Sequence, residues 1–213
     1  MAQAHFFPLT SKNIKLMIKK RKTALIDKGY QLEGVGALFL GKKNNRKVVY
    51  LVMDYMGELS SFGGHLEKRH RDAIENLTEE VLEESATTLD ITSINGKLIL
   101  NNSLNLMVQG IIMDTFGTRK NKVYRIFVFN LGNKYNSFCS SQEYTNSRNL
   151  LLQKENISKS FLETTSSHHV FISDLKKIKC NREIKDISGK QFILRPRTYR
   201  IFKLLFDKKL KFI

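Results

Sequence analysis

The sequence predicts an α+β fold, a mixed β-sheet sandwiched between α-helices, and three observations carry that expectation. Runs rich in β-branched and aromatic residues recur on both sides of one amphipathic segment, giving the order strands, helix, strands, helix. The 213 residues suffice for one packed domain with appendages. Hydrophobic residues make up 41% and charged residues 26%, the balance of a folded chain rather than a disordered one.

Residues 11–28 carry Ile14, Met17, Ile18 and Leu25 at broadly helical spacing, with Ser11 placed to cap. The stretches 34–43 and 47–55 read as strands that can form a hairpin across "KKNNRK". "GELSSFGG" breaks the pattern. From Asp72 to about Ala86, Ile74, Leu77, Val81 and Leu82 recur at three- and four-residue steps, which is a helix. Segments 96–102, 104–116 and 122–132 read as strands, with Phe127 and Phe129 as core residues. Residues 133–166 are polar, with a helix expected inside 146–163. A short strand opens 169–178, and an amphipathic basic helix over 195–210 closes the chain. The expected organisation is a basic helical extension (1–29), a central domain (30–180) and a C-terminal basic helix packed on it (181–213).

No stretch approaches the roughly 18 apolar residues of a membrane span, and the N-terminus has its apolar part before its charges, the wrong order for a secretory signal. Cys139 and Cys180 cannot build a disulfide framework and read as free thiols of a reducing compartment, the cytoplasm. Thirty-six Lys and Arg against 20 Asp and Glu give a net charge of +16, which favours a polyanionic partner.

Against that background, Glu79, Glu80, Glu83 and Glu84 fall within six residues. On a helix Glu80 lies beside Glu83 and Glu84, and Glu79 beside Glu83, and like charges at these spacings repel. Carboxylates stacked on one face suit a hard divalent ion, Mg²⁺ or Mn²⁺. A solvated acidic face is the plainer reading of such a run. Gly63-Gly64, just before the helix, tips the balance, because a glycine pair lets backbone approach a ligand closely.

"GGHLEKRHRDAIENLTEEVLEES" resembles the signature of the Nudix hydrolases, G-x5-E-x7-R-E-U-x-E-E-x-G-U, with U a bulky aliphatic residue. Glu80, Val81, Glu83 and Glu84 fall in register, and Gly64 matches the first glycine. The resemblance implies a Nudix fold over roughly 30–180, with Glu80, Glu83, Glu84 and Gly64 as metal ligands and hydrolysis of a nucleoside-diphosphate-linked substrate. Departures are plain: one extra residue before Glu79, Glu79 where the family has arginine, and Ala86 and Thr87 where it has glycine and an aliphatic residue. Glu67 is the carboxylate nearest the first motif glutamate. With Glu79 in the arginine's place, Lys68, Arg69 or Arg71 is expected to orient the glutamates and bind substrate phosphate. The box is also similar to that of poxvirus and other large-virus mRNA-decapping Nudix enzymes, which implies capped RNA as substrate and, for a viral protein, the host cytoplasm. Small nucleotides, diphosphoinositol polyphosphates and a non-catalytic RNA-binding role stay open.

The family often takes a further ligand or base from a late loop. Glu163 is the first choice, ahead of Glu155 and Glu143, with His168 a possible base. His168 and His169 would point to opposite faces of a strand and cannot share one ion.

Overall fold

The computed structural model describes residues 31–67, 69–70, 72–94, 97–100, 109–116 and 122–207. The helix expected over 11–28, the start of the strand expected at 104, the last residues of the C-terminal helix, Lys68 and Arg71 lie outside them.

Strand β1 (Gln31–Lys43) turns back into β2 (Arg46–Asp54), pairing Phe39 with Tyr50 and Lys43 with Arg46. Asn44 and Asn45 make this turn at φ +50° and +58°, a left-handed pair that asparagine tolerates and that matches strand twist. β3 (Glu58–Ser60), helix α1 (Ala73–Glu84), β4 (Ile91–Ile94), β5 (Lys97–Leu100), β6 (Gln109–Phe116) and β7 (Lys122–Gly132) follow. Then come α2 (Tyr135–Phe138), α3 (Ser141–Leu152), a 3₁₀ turn (Lys159–Leu162), β8 (Thr164–Phe171), α4 (Ile172–Leu175), β9 (Glu183–Lys185), β10 (Gln191–Leu194) and α5 (Pro196–Asp207).

The main sheet runs β6-β7-β1-β2-β3-β10-β9, with β8 pairing along β2. β1–β7 and β3–β10 are parallel, and the other pairs antiparallel, so the sheet is mixed. Period-two alternation assigns the faces. Val35, Ala37, Phe39, Val48, Tyr50, Val52, Phe127 and Phe129 face one way, where Ile74, Leu77 and Val81 of α1 pack. Leu38, Leu40, Val49, Leu51, Ile126 and Val128 face the other, against Ile201, Phe202 and Leu205 of α5. The sheet between helices is therefore the expected class. The two phenylalanines of β7 are core residues, Phe129 stacking on Phe39 at 5.0 Å.

Some boundaries differ. β4 and β5 form a separate two-stranded ribbon. α3 begins at Ser141, before the expected 146, because Ser140 caps it by accepting from Glu143 N at 3.2 Å. β8 starts at Thr164 rather than 169, held along β2 by antiparallel pairing from Thr164↔Asp54 to Phe171↔Val48. The hairpin β9–β10 lies in the C-terminal unit expected over 181–213, for which only a helix was expected. Its turn is organised by Asp186, whose Oδ1 accepts from Ser188 N at 2.9 Å and Lys190 N at 3.1 Å.

Candidate active site

The glutamates begin with a good helix start. Asp72 is the N-cap of α1, its Oδ1 accepting from Ile74 N at 2.7 Å and Glu75 N at 3.0 Å. Burial of Ile74, Leu77 and Val81 on the sheet fixes the rotation of the helix, and this directs Glu80 and Glu84 toward the segment 62–65 that leaves β3. Phe62 O and Gly64 O accept from Ala37 N (2.9 Å) and Val35 N (3.0 Å), so the segment is laced along β1.

Both glycines are required there. Gly63 has φ +123°, and a Cβ on it would strike Val35 O and Gly36 Cα. A Cβ on Gly64 would fall on the Glu80 carboxylate. Gly63 N donates to Glu84 Oε2 at 2.5 Å. Thus Glu80 lies against bare backbone, and Glu84, 8% exposed, is tied to it.

Glu163 joins them from another element. Thr164 Oγ1, next in the chain, donates to Glu84 O at 2.8 Å and accepts from Tyr144 O–H at 2.8 Å. Its carbonyl accepts from Arg148 Nε at 2.9 Å. The exposed Glu163 carboxylate consequently acts on all three helix glutamates. Burial, then Glu83, Glu163 and Glu67, push Glu80 up to about 7, while the Asn76 side chain pulls the other way. Burial raises Glu84 well above the carboxylate range, with Glu80 and Glu163 adding to it against the Gly63 hydrogen bond. Glu83 is raised by burial and opposed by Ser160 Oγ, which donates to it at 2.6 Å.

The arginine missing from the signature has a counterpart. Arg69 Nη1 lies 2.9 Å from Glu79 Oε1 and Arg69 Nε 2.5 Å from Glu67 Oε2, and its charge favours the ionised form of Glu83. The buried His70 ring also pairs with Glu79 through Nε2. Glu79 is therefore paired with Arg69 and the His70 ring while its charge still raises Glu83.

Of the residues expected at the site, Glu163 lies near enough for its charge to act on Glu80, Glu83 and Glu84, and Gly64 lies against Glu80. His168 lies elsewhere. Its Nδ1 lies 3.0 Å from Asp186 Oδ2 and its ring 4.3 Å from that of Phe192, among residues of β9–β10. His169 points to the opposite face, its Nδ1 2.9 Å from Tyr135 Oη. Glu143 stands in the first turn of α3. Ser160, Thr164 and Asp54 were missed, since single hydroxyls and a strand-end aspartate leave no spacing signal.

Among the described residues no three His, Cys, Asp or Glu side chains converge tightly enough to enclose an ion. Hydrogen bonds hold the carboxylates apart, Glu84 on Gly63 and Glu83 on Ser160. The donor chemistry nevertheless fits a hard divalent cation, with anionic oxygens that raise one another's pKa and an adjacent backbone stripped of side chains.

No family model and no curated protein matches the chain. Solved structures similar to it include the Nudix domain of Shewanella oneidensis NrtR complexed with ADP ribose, at 8% identity and TM-score 0.42, covering 91% of this chain and 98% of that one. A Caenorhabditis elegans Ap4A hydrolase is similar at 10% identity and TM-score 0.38, covering 83% and 98%. A MutT/Nudix family protein from Listeria innocua is similar at 10% and 0.38, covering 83% and 91%. What those proteins bind or hydrolyse is theirs; the chemistry open to this chain comes from its own carboxylates.

Proposed function

We propose that this chain is a Nudix-type pyrophosphohydrolase that cleaves a diphosphate linkage in a nucleoside-diphosphate-linked substrate. The observation that supports this most is the meeting of Glu80, Glu83 and Glu84 with Glu163 beside the bare backbone of Gly63-Gly64. Mg²⁺ or Mn²⁺ would be held by Glu80, Glu83, Glu84 and the Gly64 carbonyl; such an ion polarises a phosphoryl oxygen and acidifies bound water. The exposed Glu163 carboxylate would accept a proton from the attacking water. Arg69 pairs with Glu67 and Glu79 and, largely exposed, would offer the rest of its guanidinium to an incoming phosphate. Lys68 and Arg71 flank it in sequence.

Within this class the 5′ cap of mRNA is the substrate we favour, in the cytoplasm, on the strength of the net charge of +16 and the likeness of the glutamate box to viral decapping enzymes. The basic segments 12–22 and 195–211 would add phosphate contacts along the RNA, each releasing counterions.

The test is a parallel panel of cap-labelled RNA, free cap dinucleotide, ADP-ribose, dinucleoside polyphosphates and diphosphoinositol polyphosphates, with millimolar Mg²⁺ or Mn²⁺. Hydrolysis that disappears in the double variant Glu83→Gln/Glu84→Gln, with the fold retained, is the expected result. Turnover by that variant at the parental rate would sink the assignment. Capped RNA should be preferred to the free cap, and its affinity should fall steeply with salt. Equal turnover of both at low salt would remove RNA from the reading.

A further inference from the structure

The C-terminal strand pair and helix do more than cover one face of the sheet, because they bring arginines to the glutamates. β10 runs parallel to β3 with Leu194 opposite Leu59, and Arg195 N donates to Leu59 O at 2.8 Å. Just beyond, Ser61 N donates to Thr198 Oγ1 at 2.9 Å, inside α5, and Thr198 is fully buried. Two residues further along lies Gly63, which holds Glu84. The seam between β10–α5 and residues 59–63 is therefore continuous with the floor of the carboxylate site.

Arg195 projects from this seam. Its Nη1 lies 3.6 Å from Asp54 Oδ2, a charge contact outside good hydrogen-bonding range. Asp54 stands opposite Thr164 in the β2–β8 pairing, one residue from Glu163. The Asp54 side chain is 7% exposed and that of Arg195 49%. Oδ1 of Asp54 is already engaged, accepting from Met56 N at 2.9 Å and Glu58 N at 3.0 Å, so the carboxylate is a fixed post. The guanidinium is thus steered on one side and open on the other, and its charge reaches the buried Glu84. Behind it, Arg197 lies 4.4 Å over the ring of Tyr124, which itself feels Glu84 and Glu80.

At 3.6 Å the contact is too long for a good hydrogen bond and the guanidinium side of it is half-exposed, so the contact with Asp54 does not use up this arginine. A planar fork with free donors is suited to phosphate, which it can bind through two parallel hydrogen bonds. We infer that Arg195 is a substrate-binding residue whose guanidinium takes a phosphate of the diphosphate-containing substrate where that substrate leaves the glutamates toward the C-terminal unit. This rests on reading the glutamates as a diphosphate-hydrolysing site. It enlarges the site to include a segment that the signature does not contain.

The experiment measures binding of α,β-methylene-ADP, a non-cleaved diphosphate, in millimolar Mg²⁺ by titration calorimetry on the full chain. Arg195→Gln should weaken binding about tenfold or more, the loss of a charge-assisted hydrogen bond. Lys190→Gln removes the same charge from the exposed turn before β10, outside the basic segments, and should leave binding unchanged. Arg195→Lys keeps the charge beside Asp54 without the fork, and so tests the inference even if Arg195→Gln fails to fold; it should fall between the two. Parental affinity in the Arg195 variants, equal loss in Arg195→Gln and Lys190→Gln, or no binding by the parent would each overturn the inference. Binding that depends on Arg195 in a protein that hydrolyses nothing in the panel would instead refute the hydrolase reading and leave the binding site standing.

Discussion

Arg69 grips Glu79 at 2.9 Å from the loop before α1, so the glutamate that stands where the resembled signature has arginine meets its cation from outside the helix. The same charge favours the ionised form of Glu83.

Glu79→Arg alone should therefore lower turnover, because it sets one cation against Arg69 and the His70 ring. The swap Arg69→Glu with Glu79→Arg should recover most of the loss. Both changes should leave stability almost unchanged, since Arg69 is largely exposed. A steady-state assay of the double cycle checks this, and additive losses would show that the pair does not act as a unit.

Gly64→Ala should abolish activity, because the added methyl falls on the Glu80 carboxylate. The side chain of Glu80 must swing away, so the cost should appear in catalysis and in Mg²⁺-induced stabilisation more than in the melting temperature of the metal-free protein. A variant retaining both would show that Glu80 need not lie against this backbone.

The metal-free protein should be stabilised by mild acid at Glu80. Its folded-state pKa, pushed up to about 7, lies above the ordinary carboxylate value of 4.5. The folded state thus binds the extra proton between these values, and stability falls as pH rises from 4.5 through 7. Glu80→Gln cannot titrate, so its melting temperature should gain on the parent as pH rises across this window. Parallel melting curves for the two proteins would contradict the shift.

His169 should act in the opposite sense. It is 4% exposed, its Nδ1 lies 2.9 Å from Tyr135 Oη and its Nε2 3.3 Å from Ser141 Oγ. Burial lowers its pKa from 6.5 to about 4. Its contribution is present above 6.5 and is lost as pH falls toward 4, up to about 3 kcal/mol at 1.36 kcal/mol per unit. His169→Gln should flatten the acid limb of the stability curve measured by denaturant unfolding.

The sheet and the glutamate helix were legible because periodicity is a local signal. Val35, Ala37 and Phe39 alternate with Leu38 and Leu40, and Ile74, Leu77 and Val81 recur at helical steps. The glutamates were legible because repulsion on one turn is written in the spacing. Glu163 could be ranked but not placed, since only Thr164 reaching Glu84 O brings it home. The strands β9 and β10 escaped because they are three and four residues long and half polar. Ala86 and Thr87 show another limit: both have positive φ, +52° and +68°, a conformation that nothing in "SATT" announces and that the signature assigns to glycine at the first of them.

The pairing of β3 has a consequence for how the molecule fails. Glu58–Ser60 is a three-residue strand with β2 on one side and β10 on the other. During vectorial synthesis its outer rim waits for residues 191–194, which emerge long after it. A chain nicked in the loop after α4 would keep Glu80, Glu83, Glu84 and Glu163 yet present a raw rim of unpaired amides, the template for strand exchange between neighbours. Such a product would clump before it could act on anything, so damage to this region removes the whole protein rather than leaving it half-working.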